Sequence, residues 1–263
     1  TLGVILVERN RQFLRLTPLG EQFIHFAKDI VLRADDLTLM VKTADPLAGE
    51  IKLGVIYTIA PYLLPHLIQP WRQAQPNVPL RLIEGFTYEL IAKLNNGELD
   101  AGIIALPYQG VDSFNIWSLY SEGFTLVLPE QHPLTEQAQV SLIELQQESL
   151  LILGQGHCFR DHALSALPKP SKDHPWQSLI EGSSLETLRA MVASGLGVTL
   201  LPDLAAQQPW PGLISRPLSD QPSPHRSVVL IARTSHPRQE IFRQLSKIIQ
   251  QLSLLQFRGE KVV

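Results

Sequence analysis

An α/β fold is predicted for most of this chain, on two observations. From Ile51 onward, short apolar runs alternate with amphipathic stretches, the pattern of strands joined by helical crossovers. Such crossovers are right-handed and set the strands side by side in a mostly parallel sheet. The composition is that of a well-packed protein: 44% hydrophobic and 18% charged residues over a length of 263, enough for one large domain or two modest ones.

The first element is "GVILVERNRQFLRLT", which reads as a hairpin with arms at residues 4–7 and 13–16 around the polar tip "ERNRQ". Arg9, Arg11 and Arg15 form the densest basic cluster of the first fifty residues, although three charges on a turn are ordinarily a solvated face. Thr17 suits a helix N-cap and Pro18 the first helical position. Leu19, Phe23, Phe26, Ile30, Ala34, Leu37 and Val41 then recur every three or four residues as one stripe. Periodicity leaves open whether that stripe meets a partner helix or its own domain. "TADPLAGE" (43–50) carries breakers and reads as a linker.

Strand 51–57 opens the alternating region. A helix interrupted by prolines follows, then strand 80–85, helix "YELIAKLNNGE" ending at Gly97, and strand 99–106. A second unit starts near "GFTLVLP" (123–129). It continues through helix "SLIELQQ", strand 149–154, the segment "GQGHCFRDHALSAL" (154–167) and strand "SLIEG". Helix "SLETLRAMVASG" has Ser183 and Glu186 at capping-box spacing, and strand 198–202 follows it. Strand 227–233 and the amphipathic "RQEIFRQLSKIIQQLSLL" come last.

Several classes are excluded. No run approaches the roughly 18 apolar residues of a membrane span. The first residues do not read as a secretory signal, since Glu8, Arg9 and Arg11 break a short apolar run. A single cysteine makes no intrachain disulfide, so a reducing cytoplasm is the expected compartment. A net charge of −3 argues against nucleic-acid binding by the surface as a whole, so any basic function is local.

That cysteine, Cys158, has two readings. As a reactive thiol it would use His157 and Arg160 as sources of positive charge or hydrogen bonds. The glycines before it and the helical pattern after it would set it at a helix N-terminus, where amide groups favour a thiolate. Together these would bring the pKa below the ordinary value of about 8.5. As a structural residue it is a small core hydrophobe, with His157 and His162 at the surface or as caps, and Thr58 and Thr87 in turns and caps. No carboxylate or second cysteine completes a metal set, so no metal ion is expected.

Four segments, "LGVILVERNRQFLRLTPLGEQF", "GEIKLGVIYTIAPYLLPHLI", "LNNGELDAGIIAL" and "ASGLGVTLLPDLA", resemble the LysR-type transcriptional regulators. The resemblance covers the whole chain. It implies two Rossmann-like subdomains of the periplasmic-binding-protein type, preceded by part of a winged helix-turn-helix wing and a long linker helix. Residues 1–17 would be the wing remnant and 18–46 the linker or dimerisation helix. Regulatory subdomain I would take 47–121 and 227–263, and subdomain II 122–226. In that family two DNA-binding helices precede such a wing, so the chain is expected to be a fragment with little specific DNA affinity. Intact, it would bind promoter DNA as a dimer or tetramer and work with RNA polymerase, with Arg9 and Arg11 touching the DNA.

"GHCFRD" and "EGSSLETLRAMVASGLGVTLLP" are most similar to the peroxide-sensing branch of the family, called OxyR. That likeness implies a regulator of oxidative-stress genes rather than an enzyme, with hydrogen peroxide as its effector and no cofactor. It makes Cys158 the peroxidatic thiol within a motif that includes His157, Arg160 and Asp161. It also implies hydroxyls from Thr58 and Thr87 on the facing subdomain and a basic group from Arg226. One departure stands out: two-cysteine sensors carry a resolving cysteine nine residues after the first, and this sequence has Leu167 there. The chain is then a one-cysteine sensor, an altered sequence, or a regulator that binds a small organic effector between its subdomains. A solute-binding protein would lack the wing and linker helix. A thiol peroxidase would need a resolving thiol.

Overall fold

The computed structural model describes residues 3–10, 13–42, 49–169 and 178–252. Near its start, β1 (Val7–Arg9) and β2 (Leu14–Leu16) pair antiparallel as a separate ribbon, followed by α1 (Pro18–Lys42). The hairpin is present, but its first strand begins later than residue 4. Asn10 sets the turn: its side chain accepts the Phe13 amide at 2.8 Å and its own amide donates to the Phe13 carbonyl. Glu8 and Arg9 are thereby in the strand and not at the tip. Thr17 caps α1 as expected, accepting the Gly20 amide at 3.0 Å. Leu19, Phe23, Phe26, Ile30 and Leu37 are exposed, so the described part of the chain does not cover that stripe.

From Ile51 the alternation holds. The elements are β3 (Ile51–Ile56), α2 (Ala60–Ala74), β4 (Leu80–Gly85), α3 (Thr87–Asn95), β5 (Ala101–Leu106), β6 (Phe114–Pro129), β7 (Ser149–Leu153), α4 (Cys158–Ala166) and β8 (Ser178–Gly182). They continue with α5 (Leu185–Ala193), β9 (Val198–Pro202), α6 (Asp203–Ala206), β10 (Leu213–Pro217), β11 (His225–Arg233) and α7 (Gln239–Gln250). The strands lie in the order β4-β3-β5-β11-β6-β9-β7-β8, with β10 also on β6. This is the two-part α/β architecture expected.

The sheet is not mostly parallel, however. The βαβ units are parallel: β3 with β4 and β5, and β7 with β8 and β9. The middle is antiparallel, because β6 and β11 carry the chain from one half to the other and back. Residues 114–123 of β6 pair with β11, and 124–129 of the same strand pair with β9 and β10. The strand read as starting near 123 is therefore the second half of one long element.

Three local expectations need correction. Pro65 and Pro70 do not interrupt α2. Pro65 is exposed and Pro70 half-buried, so the carbonyls they leave unpaired lie toward water while Tyr62, Leu63, Leu67 and Trp71 pack inward. "SLIELQQ" forms only a 3₁₀ turn, Glu144–Gln147, too short for an α-helix. The N-cap of α5 is Ser184, which accepts the Thr187 amide at 3.0 Å, so the Ser183–Glu186 capping box does not form. Glu186 is engaged elsewhere: it accepts the Tyr62 hydroxyl at 2.5 Å across the two halves.

The core follows from the strand pattern. Ile51, Leu53 and Val55 of β3, Ile103 of β5 and Leu126 and Leu128 of β6 are fully buried. Each such side chain contributes about 1.5–3 kcal/mol. At Gly97, φ of +73° lets the chain leave α3, with the Glu98 amide reaching back to the Lys93 carbonyl, and turn into β5.

Candidate functional site

Two helix starts, one from each half, lie close together. Thr87 begins α3 and Cys158 begins α4. The glycine-bearing turn before Cys158 makes this approach possible. Gly156 has φ +96°, and a Cβ built on it would stand 3.3 Å from the Phe86 ring that precedes Thr87. His157 stacks edge-on against the same ring at 4.8 Å and joins Nε2 to the Ser183 carbonyl at 3.2 Å. Burial lowers its pKa, which favours a neutral imidazole.

Cys158 is 6% exposed. The backbone N–H of Phe159 favours its thiolate, as do the Arg226 charge and the Thr87 hydroxyl. The Thr87 oxygen is itself buried and has no hydrogen-bond partner in good geometry, so a charged sulfur or a bound molecule would complete it.

Arg226 comes from β11 and is 1% exposed. Its Nε donates to Glu122 Oε1 at 2.9 Å, and its Nη2 stands 2.7 Å from the same oxygen. Nη1 donates to the Thr58 hydroxyl at 2.9 Å and Nη2 to the Thr58 carbonyl at 3.1 Å. The guanidinium carbon lies 5.3 Å from the Phe159 ring centre, beside the thiol. Burial pulls the Arg226 pKa down, but Glu122 and Cys158 outweigh it and the net shift is upward. Glu122 is in turn held by the Leu204 amide at 3.2 Å.

The expected lowering of the Cys158 pKa is not what this environment produces. Burial pushes the thiol up and is the largest effect; Arg226, Thr87 and the Phe159 amide oppose it incompletely, and Asp161 adds to it. Burial thus favours the protonated thiol, while the groups around the sulfur would welcome its charge.

The LysR substrate binding domain family matches residues 44–253, most of the chain. The chain belongs to the LysR-type transcriptional regulators. Within the family it is OxyR-like. A solved full-length OxyR variant from Pseudomonas aeruginosa superposes with a TM-score of 0.80 at 39% identity, covering 99% of this chain and 85% of that one. A probable hydrogen peroxide-inducible genes activator of Mycobacterium avium is 37% identical over 257 residues, covering 95% of this chain and 81% of that protein. The HTH-type transcriptional regulator EstR of Acinetobacter baylyi is 35% identical over 257 residues, 96% of this chain and 83% of EstR.

In this OxyR-like regulator the residues singled out in the sequence divide into groups. Cys158, Thr87, Thr58 and Arg226 come together from four elements or their edges. His157 packs against Phe86 beside them. Arg160 turns away, donating to the Leu153 carbonyl at 2.8 Å and to Glu181 at 2.7 Å, so it does not serve the thiol as expected. Asp161 is exposed in the first turn of α4. His162 is buried with Nε2 on the Pro107 carbonyl at 3.0 Å, not at the surface. Arg9 is exposed on β1, and Arg11 lies outside the described residues. Leu167 is buried at the C-cap of α4. Glu122 was not anticipated: nothing in "SEGFT" marks it as the counter-ion of an arginine 104 residues away. Among the described residues no group of side chains could hold a metal ion, and no helix is long and apolar enough to cross a membrane.

Proposed function

We propose that this OxyR-like regulator senses hydrogen peroxide through Cys158 and so controls oxidative-stress genes. The observation that carries this reading is the position of the sulfur at the start of α4, beside the unpartnered Thr87 hydroxyl and the buried Arg226. Peroxide accepts and donates hydrogen bonds in the cleft, with Thr87 and the Arg226–Thr58 pair as its partners. The sulfur gives up its proton and attacks the nearer oxygen. An S–O bond forms, the O–O bond breaks, and the leaving hydroxide takes that proton and departs as water. Sulfur is oxidised from thiol to sulfenic acid while peroxide is reduced. Negative charge builds on the departing oxygen, where preorganised donors act most strongly. The sequence offers no second cysteine to trap the sulfenic acid within the chain, so the change in the regulatory domain is smaller or shorter-lived than a disulfide would give.

The Arg9 strand and the exposed stripe of α1 fit a regulator that meets promoter DNA and a second copy of itself. Pairing of α1 helices into a dimer or tetramer would bury Phe26 and Ile30. Sedimentation that shows a monomer at every concentration would overturn that pairing.

A second reading is supported by the similarity to EstR and by the leucine at position 167. In it, the same cleft binds a small organic effector and Cys158 is a packing residue. Dimedone trapping of the chain at micromolar peroxide separates the two. Rapid labelling of Cys158 supports the sensor, and labelling no faster than that of free cysteine supports the effector-binding regulator.

A further inference from the structure

Arg189 lies on the inner side of α5 with 4% of its surface exposed. Its guanidinium carbon is 5.7 Å from the Tyr62 ring centre and 5.6 Å from that of Trp210, so aromatic rings from α2 and from the α6–β10 connection both contact the cation. Rings attract a cation through their faces but do not satisfy its N–H groups, which lie at the guanidinium edge. Nη2 is buried with no hydrogen-bond partner, and no carboxylate among the described residues forms an ion pair with Arg189. Glu186, one helical turn earlier, holds the Tyr62 hydroxyl. The contrast with Arg226 is sharp: that arginine is equally buried, yet Glu122 and Thr58 occupy all three of its nitrogens. A buried cation left without an anion is strongly unfavourable.

Beside Arg189 is a cavity of about 90 Å³ lined also by Trp210, Gln207, Gln208 and Ser215. That is several times the space one water needs, room for one small oxyanion. Two glutamines, Gln207 and Gln208, also line its wall, while the Ser215 hydroxyl there donates to the Ala206 carbonyl at 3.3 Å. A planar guanidinium fork matches two oxygens of a carboxylate, sulfate or phosphate group.

We propose that this cavity is a binding site for a small oxyanion, anchored by Arg189 and completed by Gln207 and Gln208. The site is separate from Cys158 and does not rest on peroxide sensing. Its occupant would complete a cluster in which Tyr62 of one half meets Arg189 and Trp210 of the other, bracing α2 against α5.

The test titrates the 263-residue chain with sulfate, phosphate and acetate at fixed ionic strength, with chloride as the control salt. Tryptophan emission is followed, and Trp210→Phe identifies the contribution of Trp210. The expected result is a saturable change with at least one oxyanion, weakened about tenfold or more in Arg189→Gln and less in Arg189→Lys, which keeps the charge but not the fork. Response to acetate alone marks a carboxylate site, and response to sulfate or phosphate alone an inorganic one. Circular dichroism reports folding. Should Arg189→Gln unfold, the double variant Gln207→Ala with Gln208→Ala carries the test, with binding weakened severalfold. The proposal fails if the folded parent gives no saturable response, or if the variants respond as the parent does. It also fails if crystals grown in sulfate show Arg189 paired with Glu186 or with another copy's carboxylate and no anion in the cavity.

Discussion

Around Cys158 the wall built by its own helix and the wall facing it hold their charges in different ways. On the α4 side, Arg160 is partly exposed and pairs with Glu181, which is itself half in solvent. On the facing side, Arg226 is sealed between Glu122, Thr58 and the Phe159 ring. The cation two residues from the thiol in sequence thus serves the surface, and the one 68 residues away serves the sulfur. Burial decides the difference. A solvated ion pair contributes about 0–1 kcal/mol, whereas breaking a desolvated one by removing a single partner costs about 3–5 kcal/mol.

The largest effect that would sharpen this contrast is therefore on stability. Glu122→Ala leaves Arg226 buried without its counter-ion and is expected to lower unfolding free energy by about 3–5 kcal/mol, read by urea denaturation. A loss below about 1 kcal/mol would mean that Arg226 is not held as described. Next comes Thr87→Val, which keeps shape and removes the unpartnered hydroxyl. Sulfenic acid formation at Cys158 is expected to slow about tenfold to a hundredfold, measured by dimedone trapping, with little change in stability. An unchanged rate would remove Thr87 from the chemistry.

Asp161→Asn works in the opposite direction. Asp161 opposes the thiolate, so its neutralisation is expected to raise the rate about twofold to fivefold at low salt, and less at high salt because the residue is exposed. The smallest effect belongs to Arg160→Ala, with a rate within about twofold of the parent and a stability loss no greater than about 1 kcal/mol. If Arg160→Ala slowed oxidation as much as Thr87→Val, the two walls would have to exchange roles.

The same contrast separates what the sequence disclosed from what it did not. The α4 side was legible because its signals are local: glycines before the cysteine, then a helical pattern, placed Cys158 at a helix start. The alternation of strands and helices likewise gave the two-part architecture, and Thr17 the start of α1. The facing wall has no local signature. Thr58, Thr87 and Arg226 entered only through the family resemblance, and Glu122 not at all, because pairings over more than 100 residues are set by how β6 and β11 cross the sheet. That crossing also made the middle of the sheet antiparallel. The pKa direction of Cys158 is hidden from the sequence for a related reason. Neighbouring charges can be read along the chain, but burial, the larger effect here, is a property of the assembled fold.

The central claim is that the pocket accelerates oxidation by stabilising the charge that leaves the peroxide, not by keeping Cys158 ionised. Its most direct test is the rate of Cys158 oxidation by hydrogen peroxide between pH 6 and 9, set against free cysteine under the same conditions. Because burial raises the thiol's pKa, the thiolate fraction is still growing with pH through this range. The expected result is a rate that climbs with pH through the whole range and exceeds that of free cysteine at every point. A rate equal to or below that of free cysteine would contradict the claim and leave Cys158 a packing residue in a regulator of another effector.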